Sequence, residues 1–362
     1  MYKSFDLALR PVAEKVMAKK RLSFEEGLVL ENTPDIHYLG FLANIVRERV
    51  NANNAYYVNN RHINHTNLCV NSCKFCAFSK KEGDADGYTM SVDHVLAEAR
   101  KYSGESFSEF HIVGGLHPTM PYQYYLDIIS VLHDEFPDTH IQAYTAVEIA
   151  YFAEISGKSV GETLLALKEA GLGSLPGGGA EIFDDDIRRK ICPEKIDANQ
   201  WLKVHKAAHN AGLSSNATML YGHIEKAEHR IDHLIGLREA QDETKGFLTF
   251  IPLAFHPKNT GYDKIAQTSG VMDLRMIAIG RLMLDNFPHI KAFWIMIGEK
   301  IAQVSLSFGA DDMDGTVVEE KITHAAGAKT AQRLKINRIE KLIKEAGRIP
   351  VERDTVYNVV PA

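Results

Sequence analysis

The sequence is poor in cysteine, in long apolar runs and in surplus positive charge. Four cysteines in 362 residues are too few to hold such a chain together by disulfides. No run of about 18 apolar residues is present to span a bilayer, and Met1–Asp6 lacks the apolar core of a signal peptide. The formal net charge of −6 argues against nucleic acid as a main partner. These absences predict a cytoplasmic protein that binds neither nucleic acid nor membrane.

Three of the four cysteines lie within eight consecutive positions. Cys69, Cys73 and Cys76 form the pattern C-x3-C-x2-C, shortly after an extended run at 56–63. Thiolates this close together, without a histidine pair at zinc-finger spacing, indicate an iron–sulfur cluster. A cubane cluster has four irons, so three cysteines leave one iron open to another ligand.

Other uses of these thiols stay open at this point. A structural zinc site needs a fourth ligand, and the remaining Cys192 lies far along the chain, where we interpret it as an ordinary semi-buried thiol. A cluster that only transfers electrons normally has all of its irons bound by the protein. A cluster with one open iron explains the spacing best.

Short apolar runs of β type alternate with helical patterns from residue 56 onward. Eight strands alternating with helices over about 270 residues predict a (β/α)8 barrel, and a doubly wound open sheet is the alternative. The predicted strands are 56–63, 109–114, 139–145, 172–175, 213–220, 247–253, 291–297 and 303–308. The predicted helices between them are 91–103, 120–136, 160–170, 184–190, 197–211, 225–241 and 270–286.

Helical patterns also flank the predicted barrel on both sides. Three precede it, at 5–20, from Ser23 and at 35–50, and a long charged one follows at about 322–346. No linker rich in Gly, Ser or Pro divides the chain. We therefore predict an N-terminal helical lead-in at 1–54, a barrel at 55–320 and a C-terminal helical extension at 321–362.

Glycines follow two of the predicted strands, at the barrel end where active sites are built. Gly114 and Gly115 come after the second strand, and Gly177–Gly179 come after the fourth. Glycines let the backbone approach a ligand closely and leave amides free to donate. A turn chosen only for its geometry is the alternative for the first pair.

Acidic residues follow strands as well. Glu148 comes after the third predicted strand and Glu181 after the glycines of the fourth. Such a carboxylate can bind a ribose hydroxyl or a substrate amine, although Glu148 fits equally well in the first turn of a helix that contains 149–152. The loop at 309–320, which includes Asp311, departs from calcium-loop spacing. We interpret it as a substrate-side loop.

Histidines beside Gly or Pro follow two further strands. His223 and His256 in these positions would suit a metal-dependent hydrolase. That class usually has a His-x-His after the first strand, whereas His62 and His65 are three positions apart. It would also leave the cysteine cluster unexplained.

With Phe75 before its last cysteine, the C-x3-C-x-aromatic-C pattern resembles the signature of the radical S-adenosylmethionine (SAM) enzymes. The resemblance implies a radical SAM barrel with one [4Fe–4S] cluster on Cys69, Cys73 and Cys76. The amino and carboxylate groups of SAM would chelate the open iron, and cleavage would give methionine and a 5′-deoxyadenosyl radical. The SAM-binding residues that it implies are Phe75, Gly114, Gly115, Glu148 or Glu181, and Arg188 or Arg189.

Segments 57–69, 114–118, 221–225 and 309–316 resemble the radical SAM subgroup of the futalosine pathway to menaquinone and of deazaflavin FO synthesis. The loop at 309–316, followed by 321–328, most resembles the branch that forms aminodeoxyfutalosine. In that branch the radical adds to the double bond of 3-[(1-carboxyvinyl)oxy]benzoate, and methionine and bicarbonate are released. The alternatives are dehypoxanthine futalosine cyclase, an enzyme of FO-synthase type, and a non-catalytic iron–sulfur or zinc module.

This resemblance implies a small aromatic dicarboxylate as substrate, which needs cationic or amide donors. The candidate donors are Arg61, His62 and His117, and Asp311 of the last loop is a further catalytic candidate. A reducing protein such as flavodoxin or ferredoxin is the implied partner.

Overall fold

The computed structural model describes residues 4–101 and 107–360, in which strands and helices alternate. The helices are α1 (Leu9–Met17), α2 (Phe24–Asn32), α3 (Ile36–Asn51), α4 (Val92–Arg100), α5 (Tyr122–Glu135), α6 (Ala146–Ser156), α7 (Val160–Glu169), α8 (Asp185–Ile191), α9 (Ala198–Asn210), α10 (Ala227–Thr244), α11 (Gly270–Met283), α12 (Trp294–Ser305), α13 (Ile322–Ala325) and α14 (Ile336–Glu345). The strands are β1 (Asn54–Val58), β2 (Asn60–Ile63), β3 (Glu109–Ile112), β4 (His140–Ala143), β5 (Ser174–Leu175), β6 (Ser214–Tyr221), β7 (Phe247–Ala254), β8 (His289–Ile290), β9 (Asp312–Gly315) and β10 (Ile349–Arg353).

Seven parallel strands form one curled sheet in chain order, from β2 to β8. A doubly wound sheet requires a reversal of strand order, so that alternative is wrong. Residues 312–318 fill the gap between the two edges: Asp312 bridges Lys291 after β8, and Val318 bridges Arg61 of β2. The predicted α/β fold, a barrel of (β/α)8 type, is confirmed; residues 312–318 fill the eighth position through isolated bridges, and β9 within them belongs to a second sheet.

A second, three-stranded sheet has the order β10-β1-β9. β1 runs parallel to β10, from Asn54 opposite Ile349 to Val58 opposite Arg353. The single strand predicted at 56–63 is therefore two strands in two sheets. The sequence pattern does not predict β10, because Pro350 and its charged neighbours weaken the β signal.

Two predicted strands, at 291–297 and 303–308, are wrong. β8 ends at Ile290, and the apolar run from Trp294 opens helix α12, which extends to Ser305. Periodicity does not distinguish a short apolar strand from a buried helix segment. A break at Gly298, whose φ is +79°, interrupts the helical pattern further.

The single long helix predicted at about 322–346 is also wrong. The chain forms the short α13, an irregular segment and then α14. Leu334 N donates to Thr316 O at 3.1 Å, which ties the irregular segment to the end of β9. Because the two residues that this bond joins are far apart in the sequence, helical periodicity does not predict it.

The N-terminal helices pack on the helical layer around the barrel. α3 lies against α11, and α2 lies against α10 and α11. α2 starts with a capping box in which Ser23 and Glu26 satisfy each other's backbone amides. Arg230 of α10 holds Glu31 of α2 through two hydrogen bonds of 2.8 and 2.9 Å, a bidentate geometry that fixes orientation. Among the described residues, no helix combines the length and apolarity needed to cross a membrane.

Alternate residues of the barrel strands point inward. In β2, Asn60 and His62 line the interior, while Arg61 between them faces outward and binds Glu98 of α4. In β3, Glu109 and His111 point inward in the same way. Successive strand residues point to opposite faces, so the interior receives polar side chains from neighbouring strands in register.

Candidate active site

A cavity of about 330 Å³ lies inside the barrel and opens among the loops at the carboxyl ends of the strands. Its wall combines strand-end loops with inward-pointing strand side chains, the arrangement from which barrel enzymes build active sites. Nine of the thirteen predicted site residues line it: His62, Cys69, Cys73, Phe75, Cys76, Gly114, Gly115, Glu148 and Glu181.

The cysteine loop follows β2 and is held by bonds to its own backbone. The Lys81 ammonium donates to the carbonyls of Cys69, Val70 and Asn71 at 2.9, 2.8 and 3.0 Å. Lys74 N donates to Ile191 O at 2.8 Å, which docks the loop on the end of α8. The thiols are therefore carried by an ordered loop, and Lys81 is an ordering residue that the sequence pattern does not indicate.

The placement of the three thiols suits them as ligands of one cluster. All three are free and line the same cavity. Within residues 4–101 and 107–360, no three His, Cys, Asp or Glu side chains converge as ligands of a single ion, and a cubane cluster needs no such convergence because each cysteine binds a different iron. Burial raises the pKa of Cys73 to about 12, and a bound iron would stabilise its thiolate form.

Cys192 lies outside the cavity. It is a buried free thiol at the end of α8, and burial raises its pKa. Buried free cysteine behaves as a small apolar residue. This placement matches the interpretation of Cys192 as a packing residue.

Lys195 is a cavity residue that the sequence analysis missed. Its ammonium lies 2.5 Å from Glu181 Oε1 and 5.0 Å from the centre of the Phe75 ring. Burial disfavours its charge, yet the charge of Glu181 holds the pKa of Lys195 above its ordinary value. The cation is thus beside the cysteine loop. Its sequence context, Pro-Glu-Lys after Cys192, resembles an ordinary solvated turn.

The glycines Gly114 and Gly115 are required by close backbone approach. A Cβ on Gly115 would meet Leu68 O at 2.2 Å, and one on Gly114 would meet the His65 ring at 2.5 Å. Both contacts are shorter than atoms tolerate. The glycines therefore let the loop after β3 lie directly on the cysteine loop.

Glu148 lies in the first turn of a helix, which was the alternative to a ligand-binding role, and it also lines the cavity. Its Oε2 accepts from Thr145 N at 2.7 Å, in a capping box that starts α6, and its Oε1 accepts from Gly114 N at 3.0 Å. Burial raises the pKa of Glu148 to about 7, against the effect of these hydrogen bonds. This carboxylate lines the cavity and also joins helix α6 to the glycine loop.

Arg188 does not face the cavity. Its guanidinium donates to the carbonyls of Gly179, Ala180, Ile182 and Ile196. It therefore orders the glycine loop and does not present its fork to a ligand carboxylate. Arg189 is exposed and pairs with Asp186 on its own helix.

Two predicted substrate-side residues, Arg61 and His117, lie away from the cavity as well, and so does Asp311. Arg61 points out of β2 toward Glu98 and Glu319, at 3.4 and 3.2 Å, as strand alternation requires. His117 Nδ1 accepts from Thr119 N and Met120 N, both at 3.2 Å, before α5.

Asp311 precedes β9 at the opposite end of the barrel. It binds Arg281, His289 Nδ1 and Ile290 N. Although burial opposes it, the charges of Arg281 and His289 hold the pKa of Asp311 below its ordinary value. Three residues along the strand, Asp314 points into the cavity instead.

The interior holds a polar cluster, here defined as His62, Glu109, His111, Lys291 and Asp314. The rings of His62 and His111, which are register partners on β2 and β3, stack with centres 4.5 Å apart. Lys291 Nζ donates to Asp314 Oδ1 at 3.0 Å. The sequence analysis found only His62 among these. The other members could have been found from polar and charged residues at alternate positions of the strands. Only the correct strand register shows that these side chains meet.

Comparison with known proteins identifies the class. A family model of the radical SAM superfamily matches residues 63–235, and one of the CofH/MqnC C-terminal region matches residues 244–362. The chain belongs to the radical SAM superfamily and carries the CofH/MqnC C-terminal region. It is a radical SAM enzyme, and its family implies a [4Fe–4S] cluster and SAM.

The relatives narrow the class. The chain is 47% identical to an aminodeoxyfutalosine synthase of Thermus thermophilus, over 98% of this chain and 96% of that protein. It is 42% identical to a 5-amino-6-(D-ribitylamino)uracil–L-tyrosine 4-hydroxyphenyl transferase of Methanoculleus marisnigri, over 98% of each. The crystal structure of methylornithine synthase matches with a TM-score of 0.74 at 18% identity, covering 94% of this chain and 97% of that chain. That match concerns the fold alone.

Proposed function

We propose that this protein is an aminodeoxyfutalosine synthase of menaquinone biosynthesis. The observation that carries the proposal is the placement of Cys69, Cys73 and Cys76 at the mouth of a closed barrel interior that holds a buried cation, Lys291. The choice among radical SAM reactions is supported by the 47% identity to a synthase of that name over nearly the whole chain.

The proposed reaction joins SAM to 3-[(1-carboxyvinyl)oxy]benzoate. A carbon–carbon bond forms between the adenosyl carbon and the enol-ether double bond, and the carbon–sulfur bond that releases methionine breaks. The adduct would then rearrange, breaking the aryl ether carbon–oxygen bond and joining the aryl carbon to the former enol-ether carbon. The enolpyruvyl carboxylate would leave as bicarbonate, with its hydroxide taken from water and the remaining proton of that water released. The starting electron is recovered at the end, so the reaction consumes no reductant, and flavodoxin or ferredoxin would supply only the initiating electron.

Residues of the cavity mouth would hold the cofactors. The three cysteines would ligate one [4Fe–4S] cluster, which supplies the electron that cleaves SAM. Lys195 replaces Arg188 as the cation for the methionine carboxylate, because its charge faces the cavity beside Phe75. Glu181 would accept from the SAM amino group or ribose. Barrel walls exclude water from the radical. A cluster on reduced thiols and an initiating protein reductant would require a reducing compartment, for which we propose the cytoplasm.

A second candidate is transfer of the 4-hydroxyphenyl group of tyrosine to 5-amino-6-(D-ribitylamino)uracil. The relative from Methanoculleus marisnigri, named for that transfer, covers as much of the chain at 42% identity. Its two substrates differ from an aromatic dicarboxylate in charge, so a substrate panel separates the two functions.

The test is anaerobic reconstitution followed by product analysis. The reduced enzyme receives SAM with one of three partners: the enolpyruvyl benzoate, dehypoxanthine futalosine, or tyrosine with the ribitylaminouracil. Mass spectrometry should detect aminodeoxyfutalosine and methionine in equal amounts from the first alone. Product from either other partner, with none from the benzoate, would refute the proposal.

A further inference from the structure

The polar cluster of the interior contains a buried nitrogen without a protein partner. His62 is buried and lines the cavity, and within the described chain its Nε2 makes no hydrogen bond. An unsatisfied buried polar atom costs about 1–3 kcal/mol. The nitrogen is buried beside the cavity that His62 lines, so a ligand bound there can supply the missing partner.

The same cluster contains a buried cation with donors to spare. Lys291 is 5% exposed, and its ammonium has three donors, one of which goes to Asp314 Oδ1 at 3.0 Å. On the other side, His111 Nδ1 lies 3.1 Å from Gln142 Oε1. Because this oxygen is an acceptor, the proton of His111 lies on Nδ1 and its Nε2 is left as an acceptor. His111 therefore supports His62 by stacking and does not itself donate to a carboxylate.

The acids of the cluster are already engaged. Glu109 Oε2 accepts from Thr355 Oγ1 at 2.8 Å, and although burial opposes it, His111, Lys291 and Arg353 hold the pKa of Glu109 well below its ordinary value. Asp314 Oδ1 is engaged by Lys291 Nζ at 3.0 Å, and burial raises the pKa of this carboxyl group. Neither acid is therefore a partner for His62.

We infer that Lys291 and His62 form a subsite for the ring carboxylate of the aromatic substrate, with His111 stacked on His62 as a positioning residue. The inference rests on the proposed function. The double bond must meet the adenosyl carbon at the cysteine end, and the ring carboxylate is at the far end of the substrate. His62 and His111 lie within strands β2 and β3 and Lys291 directly follows β8, whereas the cysteines lie on the loop at 64–81 that comes after β2. A carboxylate bound there would accept hydrogen bonds from the Lys291 ammonium and from Nε2 of His62.

The test measures binding rather than turnover. The reconstituted, unreduced enzyme with SAM is titrated with the substrate and with its methyl ester at the ring carboxylate. The wild type should bind the acid at least about tenfold more tightly than the ester, equivalent to ~1.4 kcal/mol. Lys291→Met, which keeps the chain length, should bind both equally. His62→Phe, which keeps the ring stack on His111, should lose part of the preference.

Two controls make the result decisive. Lys291→Met/Asp314→Asn removes both charges, so no buried carboxylate is left unpaired if the single variant folds poorly, and cluster absorbance checks loading in each case. Lys341→Met alters an exposed lysine of α14 and should keep the full preference. If the wild type makes product while the Lys291 variants still prefer the acid, the subsite is wrong. If the wild type makes no product from the benzoate, the proposed function fails instead.

Discussion

The mouth of the cavity and its interior are built in different ways. At the mouth, ligands are carried by loops whose shape depends on backbone contacts, as when Lys81 binds three successive carbonyls. In the interior, side chains such as His62 and His111 meet because their strands are in register. The residues that build the mouth therefore lie in short segments of the sequence, whereas the residues that build the interior come from strands spread over the whole barrel. Under the proposed function, the mouth holds the cluster and SAM, and the interior selects the substrate.

The largest effect should come from the cysteines of the mouth. Cys73→Ala removes one iron ligand, so the reconstituted protein should lose cluster absorbance and SAM cleavage should fall to background. Cys192→Ala is the matched control because that thiol is buried and outside the cavity. Equal loss of iron in both variants would mean that Cys192 is a ligand and that the cluster has no open iron.

The next effect should come from the backbone contact between two mouth loops. Gly115→Ala places a Cβ about where Leu68 O stands, at 2.2 Å, and the cysteine loop must shift. We expect loss of most bound iron and of activity. Gly161→Ala, in helix α7 with open space around it, should be neutral or stabilise by about 0.5–1 kcal/mol. Iron content and thermal unfolding of the two variants measure the contrast.

The mouth was largely predictable from the sequence and the interior was not. The cysteines were predicted from their local spacing, the two glycines and two acids from their positions after strands, and Phe75 and His62 from the family resemblance. These nine of the thirteen predicted site residues line the cavity. Arg61 failed because one residue of strand register decides whether a side chain points in or out. Asp311 failed because the last strand was assigned to 303–308, which is the end of a helix, and not to β9.

An intermediate effect should separate SAM binding from substrate binding. Lys195→Met removes the cation beside Phe75, and we expect the KM for SAM to rise about 10- to 100-fold, because a hydrogen bond to a charged group contributes about 1.5–3 kcal/mol. The KM for the benzoate should change little. Lys190→Met is the control on an exposed side chain. If instead the KM for the benzoate rises and the KM for SAM is unchanged, Lys195 binds the benzoate and not SAM.

The smallest effects should come from the two adjacent arginines of α8, which the sequence does not tell apart. Arg188→Ala leaves carbonyls of the glycine loop without donors, so unfolding free energy should fall by about 2–4 kcal/mol. Arg189→Ala removes an exposed pair with Asp186 and should change it by less than about 0.5 kcal/mol. Denaturant unfolding of the cluster-free proteins measures stability, and SAM titration of the loaded ones measures binding. If Arg189→Ala binds SAM more weakly at unchanged stability, Arg189 binds the methionine carboxylate of SAM. The role assigned to Lys195 would then be wrong.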